Sequence, residues 1–335
     1  MNKPCDIAIC DAGSLAGETL IRLFEEAILP AGNVYLLSDT AEKGATIELS
    51  GEEVDVLPAA TFEFMDVDLV LIPVGGGISE SVIGQALAAN CMVIDGSLGA
   101  AGHSGAVVAL PGLNEEALDV AVAQKRLVVP ASPAAMALTA LQAINDVSLI
   151  NRVDMTACQS VSRQGNAGID ALRKQTVGLL NGKPVDHGIF PHRIAYNLIP
   201  QVGALTSEGI SAEELMVETE IWAGLNDSGI DVRATCITVP VFYGDNLAVT
   251  VDLDGPVDIT AVRSALDAVD RIDLYEGNDY PTVEQSASSD QILLGRLRAI
   301  PGNKESLSFW VSGDACRQGA IAIMAMAQRL IGDFL

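Results

Sequence analysis

Ten residues, Val128-Val129-Pro130-Ala131-Ser132-Pro133-Ala134-Ala135-Met136-Ala137, have the type and order that could mount a reactive group. A β-branched run breaks at two prolines, and an Ala/Leu/Met-rich segment follows through Ile144, which reads as a buried strand, a sharp turn and a buried helix. Pro133 suits an early helical position, where its missing N–H would have had no intrahelical partner. In α/β enzymes such an elbow holds a nucleophile against the helix dipole and free backbone N–H groups. This one carries only Ser132 and alanines, so the site looks built and its nucleophile absent.

A second candidate is the turn from Asp11 to Gly17, after the short apolar run Asp6–Cys10. A dinucleotide turn of the G-x-x-G-x-x-G kind needs glycine where the backbone approaches pyrophosphate. The corresponding positions are Asp11, Ser14 and Gly17, so only the last is glycine, and Asp11 places a carboxylate where phosphate would lie. The turn reads equally as a nucleotide cradle, with the helix N-terminus attracting an anion, or as a βα unit that only packs. Asp39, ending the next strand, could hold a ribose diol, although a solvated loop carboxylate explains it as well.

The elements that position these turns alternate. Helical spacing of Ala16, Leu20, Leu23, Phe24, Ala27 and Ile28 follows the first turn, and strands are expected at 33–38, 68–74 and 91–95, with a helix at 81–90. That order predicts an α/β fold, a Rossmann-like doubly wound parallel sheet. Beyond residue 145 the pattern becomes α+β with a mixed or antiparallel sheet. Extended segments are expected at 153–162, 233–241 and 246–252, with helices at 168–180, 211–225 and 259–268. The apolar last helix, after Gly313-Asp314, is expected to pack back on the first domain. The expected domains are therefore 1–130 with 313–335, and 131–312.

Composition narrows the function. The chain has 335 residues, room for two domains at roughly 100–200 residues each. It carries 19 Lys and Arg against 44 Asp and Glu, a net charge of -25, which argues against nucleic-acid binding. Cys5, Cys10, Cys91, Cys158, Cys236 and Cys316 show no metal spacing and read as buried free thiols in a reducing compartment. The segment 320–335 is interrupted by Gln328, Arg329 and Asp333, too short and charged to span a bilayer. No signal peptide is expected ahead of the first strand, and a cytoplasmic protein away from membranes is expected.

The second half carries Cys158-Gln159-Ser160-Val161-Ser162, Phe190-Pro191, Tyr196-Asn197-Leu198-Ile199-Pro200 and Ala234-Thr235-Cys236 with Val239-Pro240-Val241. Asp279-Tyr280-Pro281-Thr282, Gly295-Arg296-Leu297-Arg298 and Asp314-Ala315-Cys316-Arg317-Gln318-Gly319-Ala320 follow. In this order the segments resemble the aspartate-semialdehyde dehydrogenase family over essentially the whole chain. The resemblance implies a nucleotide-binding domain, a catalytic and dimerisation domain, a homodimer, and NADP or NAD as cofactor, with no metal. In that family a cysteine after the elbow forms a hemithioacetal with the aldehyde, hydride passes to NADP, and phosphate cleaves the thioester. Thiolate suits this as both nucleophile and leaving group.

The resemblance places that cysteine at Ala135 and the histidine base at Asp245, within Gly244-Asp245-Asn246. The substrate arginine falls at Thr238, the phosphate arginine near Ala101, a lysine at Glu220, and the arginine for the 2′-phosphate near Thr40, with Lys43 close by. Retained are Gln159, which orients the nucleophile, and Glu218 among the substrate contacts; both serve equally as structural hydrogen-bonding residues. The nucleotide cradle maps to Gly13, Ser14, Leu15, Ser38, Gly75, Gly76 and Asn114. His103, His187 and His192 match no catalytic position. Asp245 and Glu220 are expected to repel phosphate, and Cys158, the nearest other thiol, to be buried.

Three readings follow. The first is a homologue that has lost the dehydrogenase reaction and acts as a dimeric scaffold or regulator. The second is an NAD(P)-dependent oxidoreductase transferring hydride directly to another substrate. The third is a structural subunit that forms a heterodimer with an active paralogue.

Overall fold

The computed structural model describes residues 4–27, 29–40, 44–131, 133–287 and 289–334. Ile28, Lys43 and Ser132, named above, lie outside the described residues. The chain divides into two compact units, Met1–Ala131 with Gly319–Leu335, and Ser132–Gln318.

The first unit begins with β1 (Cys5–Ile9), α1 (Leu15–Glu26), β2 (Ala31–Leu37), β3 (Thr46–Leu49) and β4 (Glu52–Leu57). It continues with β5 (Leu69–Ile72), α2 (Glu80–Ala88), β6 (Met92–Asp95), α3 (Leu118–Gln124) and β7 (Arg126–Val128). Its sheet runs β3-β4-β2-β1-β5-β6-β7, parallel except for the β3–β4 hairpin. All four residues of β5 and of β6 are buried, as expected of parallel strands covered on both faces. The hairpin turns on Ser50 and Gly51, both at positive φ (53° and 82°), the backbone that a two-residue type I′ turn requires. Ser14 caps α1 by accepting from the Gly17 N–H at 3.0 Å.

The second unit contains α4 (Ala134–Val147), β8 (Ile150–Gln159), α5 (Gly165–Leu180), α6 (Ala212–Leu225), β9 (Asp231–Thr238) and β10 (Asp245–Leu253). After these come α7 (Ile259–Asp267), β11 (Ile272–Leu274), α8 (Val283–Ser286), β12 (Ile292–Ala299) and β13 (Ser306–Gly313). The chain ends in α9 (Ala315–Asp333), whose residues from Gly319 onward belong to the first unit. The second sheet, β11-β12-β13-β10-β8-β9, is mixed: β8–β9 and β11–β12 are parallel and the other pairs antiparallel. Period-two alternation buries Val153, Met155 and Ala157 on β8, opposite Val251, Val249 and Leu247 on β10.

Several boundaries differ from expectation, and two of them lie beside the candidate site. The strand expected to run through Ser162 stops at Gln159, because the Ser160 N–H turns to the Asp245 carboxylate and a 3-10 turn follows over Val161–Gln164. Pro133 takes the N-cap of α4 at φ −55°, ψ −22°, one residue before the helix proper. Among the described residues no helix is long and apolar enough to cross a membrane.

Candidate functional site

The alternation that builds the second sheet also builds its polar end. Gln159 is the next inward position after Ala157, and Asp245 the inward position before Leu247. Thr238 pairs with Gln159 across the parallel β8–β9 ladder, and Gly313 pairs with Asp245 across β10–β13. Residues scattered through the sequence therefore meet at one sheet edge on the buried face. A Cβ on Gly313 would lie 2.7 Å from Met136 Sδ, so glycine here leaves room for the Met136 side chain from the first turn of α4.

The edge is charged. Arg163, in the turn after β8, donates through Nη2 to Glu213 Oε1 at 2.7 Å and places Nη1 3.8 Å from Asp245 Oδ2. Gln159 Nε2 donates to the same Glu213 Oε1 at 2.7 Å. The Ser160 N–H and hydroxyl both donate to Asp245 Oδ1, at 2.7 and 2.9 Å. Exposure of the side chains is 11% for Arg163, 7% for Glu213 and zero for Asp245. Glu220 is also buried and adds to the negative field on Arg163. Asp245 Oδ2 and Gln159 Oε1 are buried without a hydrogen-bond partner.

Burial dominates the protonation of this group. It raises the Asp245 carboxyl to about 6, although Arg163 and the Ser160 hydrogen bonds pull the other way. Burial disfavours the Arg163 cation, but Glu213 and Asp245 outweigh it and hold the guanidinium above its ordinary value. The thiols are driven away from reactivity. Burial, then Asp314, pushes Cys316 up to about 12, and burial, then Glu213, raises Cys236 well above the usual range. Cys158 is half-buried, more open than expected, yet burial and then Asp245 still raise it. No thiol here is held as a thiolate by a neighbouring cation, the condition that makes cysteine a nucleophile.

The structure thus brings Gln159 and Asp245 together and adds Arg163 and Glu213, which the sequence reading missed. Glu218 is half-buried, about 140° round α6 from Glu213. Asp245 and Glu220, expected to present a repulsive face, are both buried, and Asp245 faces Arg163 there, as a buried carboxylate needs a cation. Ala135, half-exposed in the first turn of α4, contributes only a methyl group.

In the first unit the cradle residues are engaged internally. Asp11 Oδ2 accepts from the Gly77 N–H at 3.1 Å. Ser38 Oγ lies 3.2 Å from Thr40 Oγ1, Asp39 Oδ1 accepts from the Ala60 N–H at 2.8 Å, and Asn114 Nδ2 donates to the Val108 carbonyl at 2.9 Å. Gly13 has open space beside it, Leu15 begins α1, and Gly75 takes φ 75° while donating to the Gly96 carbonyl. Gly76 is needed for close approach, since a Cβ there would meet the Pro73 carbonyl at 2.8 Å. His103 is exposed beside Glu80, and His187 and His192 are exposed. Among the described residues no group of three or more His, Cys, Asp or Glu side chains could hold a metal ion.

Residues 6–121 match the family described as semialdehyde dehydrogenase, NAD binding domain, and residues 141–318 match semialdehyde dehydrogenase, dimerisation domain. Aspartate-semialdehyde dehydrogenase 2 of Vibrio cholerae is 32% identical over 336 residues, covering 100% of both chains. A USG-1 protein homolog of Pseudomonas aeruginosa is 33% identical over 336 residues, covering 100% of this chain and 98% of its own. A crystal structure of aspartate semialdehyde dehydrogenase II from Vibrio cholerae, complexed with ASA, superposes with a TM-score of 0.94 at 32% identity, covering 100% of both chains. On whole-length likeness in sequence and in fold, the chain belongs to the aspartate-semialdehyde dehydrogenase family.

Proposed function

We propose that this member of the family has lost the dehydrogenase reaction and acts as a dimeric scaffold or regulatory protein. The observation that carries this reading is the sheet edge itself. At the nucleophile position stands the methyl group of Ala135, and at the base position stands Asp245, held by two hydrogen bonds from Ser160 and faced by Arg163. The family reaction passes through a covalent thioester, and no binding energy replaces a missing thiol in that step. Neighbouring thiols do not substitute, since Cys158, Cys236 and Cys316 are all held protonated by burial. Gln159 and Glu218 then serve as hydrogen-bonding and surface groups of the scaffold.

Pairing of two copies is supported by the match to the dimerisation domain. It is also supported by exposed apolar side chains in the second unit, among them Val177, Leu180, Ile189, Leu198 and Leu205. A heterodimer with an active paralogue uses the same surface.

The alternative, direct hydride transfer, needs no thiol and draws on Asp245, a carboxyl poised near neutrality, as general base. It also needs a bound NADP or NAD. As it stands the first turn does not fit a pyrophosphate, because the Asp11 carboxylate occupies the Gly77 N–H and places a negative charge where phosphate would lie. The non-catalytic reading is therefore preferred.

The test is steady-state turnover of aspartate semialdehyde with phosphate and NADP or NAD. The expected rate equals the no-enzyme control. Turnover that Gln159→Ala abolishes would overturn the reading.

A further inference from the structure

β1 and β5 are adjacent parallel strands, so the β1–α1 turn and the loop after β5 leave the same carboxyl edge of the sheet. That edge is where open α/β sheets bind ligands. Asp11 lies in the first loop at φ 51°, a left-handed backbone that glycine adopts freely and aspartate is among the few other residues to tolerate. Its own carbonyl accepts from the Ser14 N–H at 3.0 Å. The same oxygen would sit 2.1 Å from a Cβ on Gly17, so α1 presses directly on the turn and fixes it.

From this fixed root the Asp11 carboxylate reaches across to the Gly77 N–H, 66 residues away in sequence. The other amides of the glycine loop are used as well: Gly75 N–H donates to the Gly96 carbonyl and Gly76 N–H to the Pro73 carbonyl. The field under the turn is negative. The Cys10 thiol is pushed up to about 12, first by burial and then by Asp11, Asp39 and Asp95.

We propose that Asp11 is the residue that closes the first unit to dinucleotides. Its carboxylate stands in for a phosphate oxygen, satisfies the Gly77 amide, ties the two loops together and excludes anionic dinucleotides. The inference rests on residues 6–121 being the family's NAD-binding fold. It does not depend on absence of turnover, because its readout is binding.

The experiment is calorimetric titration of NADP, NADPH and NAD into the wild-type chain, Asp11→Gly and Asp11→Asn. The expected wild-type result is no saturation below ~1 mM. Asp11→Gly should bind at least roughly tenfold more tightly, the effect of removing one charge beside a diphosphate, with Asp11→Asn between the two. Far-UV circular dichroism checks folding. Asparagine keeps the shape and tolerates the left-handed backbone, so Asp11→Asn decides the matter if the glycine variant does not fold. Saturation of the wild type at micromolar cofactor, or one shared dissociation constant for all three proteins, would overturn the proposal.

Discussion

Replacing Arg163 with leucine tests the buried charge group most severely. The substitution leaves Glu213 and Asp245 buried without their shared cation. Breaking a buried pair on one side costs about 3–5 kcal/mol, mostly the penalty of the stranded charge. Relief comes only from protonation, and Asp245 already takes a proton near pH 6. The cost should be about 4 kcal/mol at pH 8 and about half that at pH 5, where Asp245 is protonated and no longer needs the cation. Both tryptophans, Trp222 on α6 and Trp310 on β13, belong to the second unit, so urea titration followed by their fluorescence isolates its transition. With a denaturant slope of about 3 kcal/mol per molar, the midpoint should fall by roughly 1.3 M at pH 8. Arg233, 60% exposed beside Asp231, is the control, and Arg233→Leu should leave the midpoint in place. A loss below about 1 kcal/mol at pH 8, or an equal loss at both pH values, would mean that Arg163 does not neutralise buried carboxylates.

Two further outcomes follow from the same burial. Asp245 is raised from 3.8 to about 6, so the folded state holds its proton more tightly; its stabilising contribution is largest at low pH and falls as pH rises through that window, by about 3 kcal/mol. The stability of wild type minus that of Asp245→Asn should fall between pH 4 and 6, and a flat or rising difference would refute the assignment. The Cys10 and Cys316 thiols, both pushed up to about 12, should alkylate on the order of a thousandfold more slowly than a free cysteine at pH 8. Intact-mass spectra over time with iodoacetamide check this, and complete labelling of the native protein within minutes would contradict it.

Much of the scaffold was legible in the sequence because its periodicities are strong. The buried run of β5 and the alternation along β8 and β10 declare themselves, and Ser14 and Ser211 mark the starts of α1 and α6. The β3–β4 hairpin was not read, because its short strands are rich in Glu and Asp; the Ser50–Gly51 turn was its only clear signal. In the site, Gln159 and Asp245 were found through family likeness, while Arg163 lies one residue past the segment that carried it. Glu213 did leave a trace. It shares a helical face with Val217 and Glu220 at i, i+4 and i+7, and an acid on a buried stripe demands a cation that only the three-dimensional arrangement could name as Arg163. The internal use of Asp11 was out of reach for the same reason, since Gly77 is distant in the chain and its amide carries no sequence signature.

The most direct test of the central claim is a search for the covalent intermediate. The protein is incubated with aspartate semialdehyde and NADP or NAD without phosphate, so that any acyl-enzyme accumulates, and is then examined by intact-mass spectrometry alongside reduced-cofactor absorbance. An unchanged mass and no burst are expected, since Ala135 offers no thiol and burial holds the neighbouring cysteines protonated. An aspartyl adduct on any cysteine, with a matching burst of reduced cofactor, would contradict the account.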